Sequence, residues 1–268
     1  MTGTELTKQD RNPEKMFVST DGYTGPVLAD ITCPEGMVHV TVDPAATVAR
    51  VQVRSGAQKG PAAEAAKNTR IHQTAERLTI VVPPVPAQQL NNRGGVFVGG
   101  NSYSTIQING VVFNNYSGQG ASGVGSTGVE VLVTLPAGSG IKYVSENGSI
   151  YTYGILAALK AEATNGSVKA ETVGRLEAEA YNGSVKVGTV TEWIDAEASN
   201  GSVKVDNYAG SEARIRAGNG SVAMTVAPSA TGRIVAKSGN GSIKLYGVRG
   251  RSDLDVQASA GNGTVKKF

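Results

Sequence analysis

The triplet Asn-Gly-Ser or Asn-Gly-Thr occurs seven times in the second half of the chain, each time followed by Val or Ile. The copies begin at Asn147, Asn165, Asn182, Asn200, Asn219, Asn240 and Asn262, with spacings of 18, 17, 18, 19, 21 and 22 residues. Self-similarity at this period marks a repeat architecture, in which each unit buries its apolar side only by stacking on its neighbours. The two most regular copies, at 178–187 and 196–205, read Ala-Glu-Ala-x-Asn-Gly-Ser-Val-Lys-Val. Apolar and polar residues alternate on both flanks of Asn-Gly, so each repeat holds at least two short strands. Asn and Gly accept positive φ most cheaply, where a β-branched residue would cost roughly 1–2 kcal/mol. The pairs Asn147-Gly148, Asn165-Gly166, Asn182-Gly183, Asn200-Gly201, Asn219-Gly220, Asn240-Gly241 and Asn262-Gly263 are therefore read as structural turns with positive-φ backbone.

Two architectures share this local pattern, a meander of Asn-Gly hairpins and a β-solenoid in which each repeat is one stacked coil. A hairpin would set Glu162 against Lys169, Glu179 against Lys186 and Glu197 against Lys204, each pair worth about 0.2–1 kcal/mol. A solenoid stacks Glu on Glu instead, a repulsion of only about 0.9 kcal/mol per contact in water at the strand spacing. Charge therefore does not decide. A third apolar point does: Val173 with Leu176, Val190 with Ile194 and Val248 with Leu254 fall between the Val-Lys-Val strand and the next Ala-Glu-Ala strand. A flat meander has no use for a third buried corner, whereas a closed coil of short sides needs one. The small residues Ala161, Ala163, Ala178, Ala180, Ala196 and Ala198 suit a narrow interior. The expected fold is all-β, a parallel β-solenoid (β-helix) of about 17–22-residue coils. The solenoid occupies 141–268, after a polar N-terminal arm at 1–13 and a β-rich N-terminal region at 14–140.

In that region, strands are expected at 16–19, 27–32, 38–42, 48–53, 78–82 and 129–135, with a helical turn or two at 62–67. Residues 91–128 form an insertion with ten Gly. Inside it, Thr105 to Ile108 and Val111 to Phe113 flank Asn109-Gly110, a hairpin signal. Its aromatics Phe97, Tyr103, Phe113 and Tyr116 are the candidate interaction residues, since an aromatic-bearing excursion of this length is uncommon without a use.

A bacterial family is resembled at three places: Leu78-x-Ile80-x-x-Pro83, then Val129-x-Val131-x-Val133-x-Leu135-Pro136-Ala137-Gly138-Ser139, then the Asn-Gly-Ser-Val series from Asn147. This is the family of putative-adhesin domains of unknown function, and the resemblance covers roughly Lys15 to Phe268. It implies a β-solenoid and supplies no catalytic residues. The chain departs from the family by its insertion and by the lack of a visible signal peptide.

Chemistry-bearing motifs are sparse. With two His (His39, His72) and one Cys (Cys33), a Cys/His zinc site would lack a ligand and a disulfide has no second thiol. No metal and no cofactor are expected. Gly118-Gln119-Gly120-Ala121-Ser122-Gly123 matches the dinucleotide fingerprint in letters, but neither a strand before it nor a helix after it is signalled. The Asn-Gly-Ser/Thr triplets are formally glycosylation sequons, better explained as turns. Glu162, Glu179 and Glu197 alternate with Ala and read as a solvated charge ladder rather than a glycosidase pair. Asp195, Asp206, Asp253 and Asp255 show no calcium-loop spacing. His39 lies opposite three Val in its strand, and Trp193 sits at the third corner of its coil, at core or rim.

Net charge is +3 with dispersed basic residues, which speaks against nucleic acid. No stretch approaches the about 18 apolar residues of a membrane span. The leading expectation is a non-enzymatic structural or binding protein, an adhesin-like scaffold with a protein partner or self-association; a surface glycan is a partner that no residue supports. The alternatives are a bacteriophage virion component, decorating a capsid or associated with a tail, and a polysaccharide-acting solenoid enzyme. The expected location is the cytoplasm or a virion. Solenoid ends expose unpaired strand edges, so the last coil is expected to be covered by another chain or by the N-terminal region.

Overall fold

A computed structural model describes residues 14–19, 22–85, 104–108, 111–115 and 128–268. The chain divides into two compact units, one of 1–85 with 127–268 and one of 86–126. In the first unit the N-terminal elements are β1 (Glu14–Val18), β2 (Leu28–Thr32), β3 (Glu35–Val42), β4 (Arg50–Ser55), helix α1 (Pro61–Asn68), β5 (Arg70–Thr74) and β6 (Arg77–Val81). The second unit contributes β7 (Ser104–Ile108) and β8 (Val111–Asn115), which pair antiparallel with Ile108 opposite Val111. The hairpin expected there is thus formed. The first unit resumes with β9 (Val129–Leu135), β10 (Gly140–Ser145), β11 (Asn147–Ala163), β12 (Val168–Ala180) and β13 (Val185–Ala198). It ends with β14 (Val203–Tyr208), β15 (Glu212–Ala217), β16 (Val222–Val226), β17 (Gly232–Ser238), β18 (Ile243–Tyr246), β19 (Leu254–Ala260) and β20 (Val265–Lys267).

These strands build a parallel β-solenoid of about six turns. Two strand ladders run its length. The first passes from β1 through β4, β9 and β3 into the opening segments of β11, β12 and β13, then through β14, β16, β18 and β20. The second passes from β5 through β6, β2 and β10 into the closing segments of β11, β12 and β13, then through β15, β17 and β19. Within these two ladders, only the pairings made by β1, β4 and β5 are antiparallel. The N-terminal strands therefore extend the same two ladders as the repeats. They add at the β1 and β5 ends, and none of these described strands pairs with β19 or β20.

Alternation sets the interior. In β9, Val129, Val131, Val133 and Leu135 are buried and the residues between them are not. Through the repeats the inward residues form columns: Val168, Val185, Val203, Val222 and Ile243 on the first ladder, and Leu159, Leu176 and Ile194 beside Ala161, Ala178 and Ala196 on the second. In β15 the large and small positions exchange, Ala213 and Ile215 replacing Ile194 and Ala196, and β17 restores the order with Ile234 and Ala236. Exchanging one large and one small residue keeps the filled volume nearly constant, the kind of change a core accepts. The third corner is occupied as expected: Val173, Leu176, Val190 and Ile194 are buried, and Tyr208 continues the Val173 and Val190 column.

Helix α1 leads from β4 on the first ladder to β5 on the second and packs against β4, β1 and β9. Pro61 at its first turn supplies a preset φ, Glu64 and Lys67 suit the helix dipole at either end, and Ala62, Ala63, Ala65 and Ala66 are buried. Small side chains let the helix lie close on the strands.

Candidate functional site

The seven Asn-Gly corners stack into one edge of the solenoid. Each Asn donates from Nδ2 to Oδ1 of the Asn one turn before it, from Asn165 on Asn147 through to Asn262 on Asn240, at 2.7–2.9 Å. Beside them the Ser column links turns through bonds such as Ser167 N to Ser149 Oγ at 3.0 Å. The corner glycines do not adopt the expected positive φ; among the described residues the glycines that do are elsewhere, at Gly22, Gly25, Gly36, Gly60, Gly138, Gly154, Gly232, Gly247 and Gly250. What the corner requires is close approach. A Cβ on Gly183 would lie 1.7 Å from the carbonyl oxygen of Gly166, and one on Gly166 or Gly201 1.8 or 1.9 Å from that of the preceding corner glycine.

Two charged columns flank this edge. Three residues before the corner Asn, Glu162, Glu179 and Glu197 are register partners on the outer surface of the second ladder. Four residues after it, Lys169, Lys186 and Lys204 are register partners on the outer surface of the first. Because the neighbours in sequence, Ala161, Ala163, Val168 and Ala170, point inward and are buried, strand alternation turns both charged sets outward. Glu stands on Glu, as a solenoid demands, and the Glu-to-Lys pairs of a hairpin are absent from the register. Lys160 Nζ lies 2.7 Å from Glu177 Oε1 and 3.8 Å from Glu162 Oε1, and the Glu177 hydrogen bond, with these neighbouring carboxylates, holds its ammonium above the usual lysine range. Arg216 lies 3.5 Å from Glu197 and 3.7 Å from Asp195. Along the acidic column runs an open groove of about 490 Å³, lined among others by Glu162, Glu179, Glu197 and the exposed Tyr181.

The basic column begins beside an aromatic stack. His39 stacks on Tyr151 with centroids 5.1 Å apart and on Tyr153 at 6.3 Å, and Lys169 Nζ sits 4.9 Å from the Tyr151 centroid. Glu130 approaches His39 at 3.7 Å and accepts from Arg54 Nε at 2.6 Å. Sequence reasoning finds His39 alone, because the register that brings Tyr151 beside it joins strands 112 residues apart. The Tyr151-x-Tyr153 alternation is the only local signal.

The remaining candidates are dispersed. Trp193 is half-buried at the rim, in a groove of about 310 Å³ with Glu177, Asp195, Glu212 and Arg214. His72 pairs with Thr74 Oγ1 at 2.9 Å. Asp195, Asp206, Asp253 and Asp255 each meet a basic side chain, Arg216, Lys204, Arg251 and Arg233 respectively. Cys33 is fully buried and its thiol is pushed up to about 12 by burial, the inert setting for a thiol. Among the described residues no group of three His, Cys, Asp or Glu is placed to hold a metal ion, and no helix is long and apolar enough to cross a membrane. Phe97, Tyr103, Tyr116 and the segment Gly118 to Gly123 lie outside the described residues, and Phe113 falls in β8 opposite Ile106.

No family model and no curated protein matches the chain. Solved structures similar to it include a putative adhesin from Bacteroides fragilis, 16% identical over 95% of this chain and 97% of that one, with a TM-score of 0.46. A putative cell adhesion protein from Clostridium sporogenes is 14% identical over 96% and 99%, with a TM-score of 0.40. A putative lipid binding protein from Parabacteroides distasonis is 12% identical over 95% and 96%, with a TM-score of 0.39. Likeness at this level carries no argument about what the chain binds, so the functional reading rests on its own residues.

Proposed function

We propose that the chain is a non-enzymatic binding scaffold, an adhesin-like β-solenoid that presents outward columns of charge to a macromolecular partner. The observation that carries the reading is the register, with Glu162, Glu179 and Glu197 on one outer surface and Lys169, Lys186 and Lys204 on another, one residue per turn. A surface repeating at fixed pitch suits attachment to an extended partner. Carboxylates at the strand spacing of about 4.8 Å do fall near the separation that glycoside hydrolysis uses. These, however, are exposed and share Lys160 and Arg216, whereas the acid of that chemistry is a carboxyl desolvated in an apolar pocket.

The test is retention of beads carrying the purified chain on films of heparin and of polylysine under flow. Retention is expected on both, falling on heparin for the triple variant K169E/K186E/K204E, with no reducing sugar ends released from heparin or polygalacturonate. Retention on neither film, or release of reducing ends, overturns the reading.

A further inference from the structure

We propose that the acidic column of one copy receives the basic column of a second copy of this chain, so that solenoids associate side by side. The proposal rests on the columns being binding surfaces and names the partner. Its first support is matched pitch. Each Glu of the acidic column is followed seven residues later by a Lys of the basic column, Glu162 by Lys169, Glu179 by Lys186 and Glu197 by Lys204. Both columns therefore advance one residue per turn on the same strand spacing, and three carboxylates can face three ammonium groups whether the two copies run parallel or antiparallel. The centre of one column meets the centre of the other in either case.

The second support is that the two centres are unpaired within the chain. Glu162 has Lys160, Glu197 has Arg216, Lys204 has Asp206 at 2.6 Å, and Lys169 lies over the Tyr151 ring. Among the described residues, neither Glu179 nor Lys186 takes part in an ion pair. Each has like charges above and below, offset at Glu179 only by the attraction of Lys160 beyond ion-pair distance, and an opposing column relieves that repulsion. The third support is shape: the groove of about 490 Å³ runs along the acidic column. Tyr181, 58% exposed on its wall, offers a ring face to an incoming ammonium. Because the two columns lie on different surfaces of one molecule, the contact is heterologous. Every bound copy keeps one column free, and growth continues unless the rotation closes a ring.

Sedimentation of the full chain tests this at about 10 mM NaCl, where the Debye length is about 30 Å, and at about 1 M, where it is about 3 Å. The weight-average mass is expected to exceed the monomer and rise with protein concentration at low salt, and to fall to the monomer at high salt. E179K and K186E break no ion pair within the chain, so each should keep the wild-type circular dichroism and melting temperature. Each should associate about tenfold more weakly than wild type, as reversal of a facing charge predicts. An equimolar mixture of the two should recover association, because every contact between unlike copies again sets opposite charges centre to centre. A wild type that stays monomeric at low salt, single variants that associate like wild type, or a mixture no better than its components overturns the proposal. If the wild type is monomeric yet beads are still retained on heparin and polylysine, the columns remain binding surfaces and only the second copy is excluded as partner.

Discussion

At Gly183 two different demands would select the same residue, and only one of them operates. A positive φ and a backbone approach too close for a Cβ both call for glycine, so an Asn-Gly pair in a sequence cannot say which applies. The carbonyl of Gly166, 1.7 Å from where a Gly183 Cβ would sit, shows that stacking is the cause. The two causes predict different variants. A positive-φ site tolerates Asn well, as Gly22 should, with φ of 78° and nothing within 4 Å of an added Cβ. A stacked site rejects Asn as firmly as Ala, because both bring the same Cβ. Gly183→Ala and Gly183→Asn are each expected to cost about 3 kcal/mol, near the upper end for overpacking. Thermal scans should then show melting roughly 6–12 °C lower for a chain of this size, with Gly22→Asn near wild type. A Gly183→Asn variant that melts with wild type would restore the left-handed reading.

Among the elements, those with clean apolar alternation were legible in the sequence and those without it were not. β9 alternates without interruption, Val129 to Leu135, and its limits follow from the pattern alone. β5 reads Arg-Ile-His-Gln-Thr and buries only Gln73, because it is an edge strand held on one side by β6. β10 follows so soon after the Pro136-Ala137-Gly138-Ser139 turn that the turn residues hide it. Loops between late strands carry information of another kind. Arg251 joins the loop between β18 and β19 to the one before β17, donating to the carbonyls of Ala227, at 2.9 Å, and Ala230, and to Asp253 Oδ1 at 2.9 Å and Oδ2 at 2.5 Å. The Arg251 hydrogen bond holds the Asp253 carboxyl at about 2, below its ordinary 3.8. A depressed folded value means that the contribution is full above the ordinary value and is lost as the pH falls through the folded one. Asp253→Asn should therefore melt below wild type at pH 6. The gap should close between about pH 4 and pH 2, in thermal scans across that range. A gap that stays constant with pH would show that the carboxylate charge does not hold the loop.

For the whole molecule, the ladders make stability a property of neighbouring turns. The repeat period, the inward Ala columns and the third apolar corner were all readable in sequence, since each recurs and recurrence is visible without coordinates. The Glu column was readable as a solvated ladder once the third apolar corner selected the solenoid, but the Lys column and the groove beside Tyr181 were not, because they follow from which faces the coils turn outward. The pairing of β3 with β11, which assembles His39 with Tyr151, had no repeat to announce it. One consequence of neighbour-only stacking can be tested on the chain as a unit. Removing residues 182–199 takes out one turn and joins Tyr181 to Asn200. Val203 then falls above Val168, Lys204 above Lys169 and Tyr208 above Val173, the places now held by Val185, Lys186 and Val190. Every ladder closes again one turn shorter, so the variant should fold with an unchanged β-type circular dichroism spectrum and a melting temperature modestly lower, as expected when one interface is lost from a stack. Removing only 191–199 deletes the closing half of a turn and places β14 where the second ladder requires a partner for β12. Glu212 and Arg214 would then fall at the inward places now held by Val203 and Val205 on the first ladder, and that variant should fail to melt cooperatively. Equal folding of the two deletions would mean that the turns are not the units of this molecule.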